Sequence, residues 1–214
     1  MSGPDNLSLV VDLLILLAVA VFYTGFFVWF NFLRQDLDRA EAALRQGAAL
    51  MGLFGLVFAA LSFWGEMTFP LFGSYNTFFF DPLVMLSVLM IAFGAAVWFR
   101  LPTHFVGILG VVVGSGTIYY GARAYQLGLT QDPFETFLMY LAFGGVAILS
   151  FVATLFVDWF VVGPRTPSVQ PIASGPKPEY PRMWMAFLGL FMAVVLLAGI
   201  AAVLYGFSIA WSHL

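Results

Sequence analysis

Apolar runs long enough to cross a bilayer alternate with short polar breaks along almost the whole chain. A helix rising 1.5 Å per residue needs about 20 apolar residues to traverse roughly 30 Å of hydrocarbon. Runs of that kind are expected to span approximately residues 8–31, 47–65, 82–99, 104–121, 134–157 and 184–210. The pattern predicts an all-α polytopic membrane protein, a compact bundle of about six transmembrane helices in one domain over residues 1–214.

The breaks differ in character. Arg34 to Gln46 reads RQDLDRAEAALRQ, with charges of alternating sign and Ala and Leu on one side, a short polar linker of helical type. Met67 to Phe80 is semi-polar and aromatic, suited to headgroup depth. Asp81-Pro82 and Asp132-Pro133 each read as a helix start, with Asp as N-cap and Pro at the first helical position. Glu135, three residues after Asp132, permits a reciprocal capping box. The linker at 161–182 holds Pro164, Pro167, Pro171, Pro176, Pro178 and Pro181, which rule out a continuous helix and favour an extended surface segment.

Composition removes the soluble alternative. Hydrophobic residues make up 62% of the chain and charged residues 9%, with a mean hydropathy of +0.99. A soluble domain carries roughly 25% charged residues to cover its surface. Lipid, not water, must therefore face most of the exterior. A net charge of -3 with no basic tract excludes a nucleic-acid partner. The chain has no Cys, so neither disulfides nor thiolate metal ligands arise. The first apolar run lacks a basic lead-in and a small-residue cleavage site, and reads as a retained helix.

Six crossings would put Arg34, Arg39, Arg45, Arg100, Arg165, Lys177 and Arg182 on one side, leaving only Arg123 on the other. Basic residues concentrate on the cytoplasmic side, so both termini are expected to face outward, with linker 161–182 inside. Gly107, Gly110 and Gly114 lie in the fourth run, where i,i+4 spacing offers a flat groove for close helix packing. Trp29, Trp64, Trp98, Trp159, Trp184 and Trp211 all fall near expected membrane ends and suit interfacial anchoring.

Few residues carry candidate chemistry. Asp12 sits near the start of the first apolar run, either at the interface or as a proton or cation relay within the membrane. Glu66, Asn76, Asp81, Arg123, Asp132 and Glu135 gather in the outward layer, where Arg123 could pair with Glu66 or Asp81. Such a group would be a local structural network or the mouth of a polar or transport site. Asp158 could meet Arg165 or Arg182 at the inner face. His104 and His213 fall on opposite sides and make a poor axial haem pair. No phosphate loop, nucleophile elbow, H-E-x-x-H or repeated Glu-x-x-His spacing occurs, so no metal site and no catalytic residue are assigned.

The stretch YNTFFFDPLVMLSVLMIAFGAAVWFR, from Tyr75 to Arg100, leads through an aromatic, Asn-containing approach into Asp81-Pro82 and a glycine-containing apolar helix. It resembles DUF981, a family of small prokaryotic multi-pass membrane proteins found especially in archaea. The resemblance implies a protein of the prokaryotic cytoplasmic membrane and supplies no site residues. The leading expectation is a structural or accessory subunit of a membrane complex, with membrane lipids and other subunits or copies of itself as partners. No cofactor is expected, although a bound lipid or quinone fits such a bundle. The alternatives are a small ion or solute transporter or channel, and an intramembrane redox or lipid-modifying enzyme.

Overall fold

A computed structural model describes residues 6–34, 36–68, 70–71, 74–130, 132–162 and 182–212. Its described residues form six α-helices and no strand: α1 (Asn6–Leu33), α2 (Leu37–Thr68), α3 (Ser74–Trp98), α4 (His104–Leu127), α5 (Pro133–Phe156) and α6 (Arg182–Ser212). Five of them, α1 to α5, are long and apolar enough to cross a membrane, while the apolar stretch described in α6 is the shorter Ala186–Ala201. The exterior is that of a protein dissolved in lipid: Val19, Leu53, Val112 and Leu204 are all more than half exposed. In lipid the helix form is required, because only it satisfies every backbone group within its own segment.

Several element limits differ from those read in the sequence, each for a physical reason. The polar stretch Arg34–Gln46 contributes its greater part to α2, which starts at Leu37 and runs unbroken into the second span. Its opening turn is tied by Asp36, which accepts from the Arg39 backbone N–H at 3.1 Å and pairs with the Arg39 guanidinium. Asp81-Pro82 does not begin the third helix. Helix α3 starts at Ser74, with Pro82 inside it. Proline lacks an N–H, so the Phe78 carbonyl loses its helical donor. Tyr140 on α5 replaces it, its hydroxyl donating to Phe78 O at 3.0 Å. Asp132-Pro133 does start α5 with proline in the first turn, but Asp132 makes no side-chain cap bond, so the capping box is not formed. Helix α4 extends past its expected end to Leu127 and stops at Gly128, whose φ of 58° is a left-handed conformation that glycine adopts without strain. Residues 163–181 of the proline-rich linker, with Arg165 and Lys177, lie outside the described residues, as does His213.

Successive helices run antiparallel and close into a ring: each packs on its chain neighbours where both are described, and α6 also packs on α1. The tightest pairs are α4–α5 and α2–α3. Among bilayer helices no hydrophobic force drives association, so small residues that let backbones approach do much of the work. Gly107, Gly110 and Gly114 all face α5. A Cβ at Gly110 would stand 2.7 Å from Ser150 Oγ and 2.8 Å from the Ala147 carbonyl oxygen, too close to admit a methyl group. Gly94 meets the backbone of Gly52 in the same manner between α2 and α3.

Candidate ligand cavity and its polar ends

All six helices contribute wall residues to a partly open cavity of about 300 Å³. That volume is at the lower end of small-molecule sites, roughly 300–1,000 Å³. Its wall is Leu, Val, Phe, Met and Ala almost throughout. The hydroxyls on it are already engaged with backbone carbonyls. Thr24 donates to Ala20 O at 2.7 Å, Thr117 to Val113 O at 2.8 Å, Ser150 to Ala147 O at 2.6 Å and Thr154 to Phe151 O at 2.8 Å. Tyr140 is engaged with Phe78 O, as above. One further donor belongs to a wall residue, the indole N–H of Trp29, which is buried without an acceptor. A cavity built this way offers dispersion contacts to an apolar guest and almost nothing to a hydrated one.

Two polar clusters close the ring at its ends. At the end holding the second-to-third and fourth-to-fifth connections, Tyr120 of α4 donates to Asp81 Oδ2 of α3 at 2.6 Å. Glu66, at the end of α2, interacts directly with Asp81, and its Oε1 is buried with no hydrogen-bond donor. Asn76 is fully buried beside them. Its amide donates to Gly65 O at 3.2 Å and its carbonyl accepts from Leu71 N at 3.4 Å, which closes the connection between α2 and α3.

The arginine-bearing end is organised by one carboxylate. Helix α5 continues into a π-helical turn, Val157–Val162, which carries Asp158. Asp158 Oδ1 accepts from the Thr103 backbone N–H and the Thr103 hydroxyl, both at 2.8 Å. Its Oδ2 accepts from the His104 backbone N–H at 2.9 Å and from His104 Nδ1 at 2.7 Å. Since a carboxylate only accepts, the imidazole proton of this pair sits on Nδ1. Thr103 does not cap its own helix, so Asp158 supplies the negative charge at the α4 N-terminus from the continuation of the neighbouring α5.

The expected site residues scatter. Asp12 is exposed on α1 and is not part of the cavity wall. Asp132 and Glu135 are exposed at the start of α5. Arg123 is also exposed and donates to Gln126 Oε1 at 3.0 Å, so its described hydrogen bond stays on its own helix instead of reaching Glu66 or Asp81. Glu66 and Asp81 do come together, and Asn76 stands at the same end of the ring. Asp158 binds Thr103 and His104; Arg165 and the Arg182 side chain, its expected partners, lie outside what the structure describes. Tyr120 and Tyr140 carried no signal in the linear pattern; the proton donor that Pro82 removes from Phe78 was the one clue to Tyr140. Among the described residues no group of His, Cys, Asp and Glu is placed to hold a metal ion.

No curated protein and no solved structure matches this chain. A family model, described as a protein of unknown function (DUF981), matches residues 5–214. The chain belongs to that family.

Proposed function

We propose that this DUF981 protein is an accessory protein of the prokaryotic cytoplasmic membrane that holds a lipophilic molecule inside its helix ring. The observation that supports this is the engagement of the cavity hydroxyls: five hydroxyl groups on an otherwise apolar wall already donate to carbonyls. An ion or polar solute crossing the ring would shed water and meet few replacement ligands, the hydroxyl lone pairs and the Trp29 indole N–H, at a penalty of several kcal/mol. A lipid or other lipophile gives up nothing comparable. The placement of Arg34, Arg39, Arg45 and Arg100 at one end supports an orientation with that end toward the cytoplasm and both termini outward. Self-association or a second subunit would use the lipid-facing exterior, leaving the cavity to its ligand.

The experiment is purification in mild detergent followed by native mass spectrometry and extraction. The expected result is one class of lipophile retained at near-integral occupancy after exhaustive washing. Retention of a lipid mixture that mirrors the host membrane and washes away with the annular lipid would overturn the reading. Flux of an ion through reconstituted protein would also overturn it.

A further inference from the structure

We infer that the occupant is a single extended hydrocarbon chain lying along the axis of the ring, an inference that rests on the lipophile-binding reading above. The reach of the wall residues along the helices carries it. Wall positions run from Val10 to Trp29 on α1, about 28 Å at 1.5 Å rise per residue. On α5 they run from Met139 to Phe156, about 26 Å by the same rise. A volume of about 300 Å³ drawn out over that length is a slot one chain wide. A flat ring system needs the same volume gathered into one broad chamber. The slot's length nearly matches the roughly 30 Å hydrocarbon core of a bilayer, so a chain that filled it would reach through both leaflets.

Wall chemistry agrees with the shape. An alkyl or isoprenoid chain is featureless along its length and asks for continuous dispersion contact, which a wall of engaged hydroxyls and aliphatic groups provides. A chain leaving lipid gains no hydrophobic free energy, so selection would come from fit: chains that fill the slot without kinking are kept, and shorter ones leave gaps.

Three plugs at different depths test the axial arrangement. Val10→Phe, Ala198→Phe and Ala153→Phe place a ring respectively near the acidic end, midway, and toward the arginine-bearing end of the wall. Purified wild type and variants are compared by native mass spectrometry, with melting in detergent as the control for folding. A threaded chain predicts that each folded variant holds less ligand, by about tenfold for the central plug. The end plugs shift the retained species to shorter chains. The retained mass also tells a phospholipid tail from a free isoprenoid or fatty chain. Should only one of the three plugs reduce occupancy while the others leave mass and amount unchanged, the guest is compact, and the axial chain is overturned while lipophile binding stands. If the wild type retains no specific lipophile, the parent reading fails first and takes the axial chain with it. Where a phenylalanine variant does not fold, Leu at the same alanine positions, or Ile at Val10, supplies the smaller plug, and the same dependence on depth is read.

Discussion

The two ends of the ring solve one problem in opposite ways. At the acidic end, cohesion is spread over several separate contacts: Tyr120 to Asp81, Tyr140 to Phe78, and Asn76 to the last turn of α2. At the arginine-bearing end, one carboxylate gathers four donors from two consecutive residues of another helix. A distributed joint loses a fraction of its strength when one member is removed. A convergent joint loses its centre. The ring is therefore expected to be tolerant at one end and brittle at the other.

Asp158→Ala breaks that contrast most directly. It leaves the backbone N–H groups of Thr103 and His104 and the His104 ring without their acceptor, while the Thr103 hydroxyl keeps the Thr154 carbonyl at 3.2 Å, and hydrogen bonds to a charged group contribute about 1.5–3 kcal/mol each in favourable cases. A loss of about 3 kcal/mol is expected, seen as a large fall in melting temperature in detergent; a change within about 0.5 kcal/mol, the level of an ordinary surface substitution, would remove the idea of a convergent joint. Next comes Asn76→Ala at the tolerant end. Asn76 is fully buried and serves two backbone groups, so removing it should cost about 2 kcal/mol by denaturant titration. Tyr140→Phe returns the Phe78 carbonyl to an unpaired state. Interhelical hydrogen bonds in membranes average about 0.6 kcal/mol with a ceiling near 1.7, and this one belongs near the ceiling because Pro82 supplies no alternative donor. Tyr120→Phe should be mildest, about 0.6 kcal/mol, since Asp81 stays half-exposed and can recruit another donor. Equal losses for Asp158→Ala and Tyr120→Phe would erase the distinction between the two ends.

Hydropathy made most of the architecture legible. Helices α1 to α5 coincide with five of the six apolar runs, and α6 covers the sixth, because the length needed to cross hydrocarbon is a local property of a sequence. The start of α3 was not legible. Asp81-Pro82 carries a strong local signal for a helix beginning, and the group that overrides it, Tyr140, lies 62 positions from the carbonyl it serves. The partners of Asp158 that the structure describes were not legible either, since Thr103 and His104 are 55 and 54 positions away. Charges at one end of the bundle suggested ion pairs, yet the donor that reaches Asp81 is the uncharged Tyr120 hydroxyl. The cavity had no linear signature at all, since its wall and the packed seams draw on the same residue types.

The 300 Å³ cavity also gives the protein a mechanical property. Compression favours whichever state occupies less total volume, in proportion to the internal void that is eliminated. A ring carrying the proposed guest should resist hydrostatic pressure, and a ring stripped of it should yield at lower pressure, so barometric stability would gauge occupancy without knowledge of what the guest is.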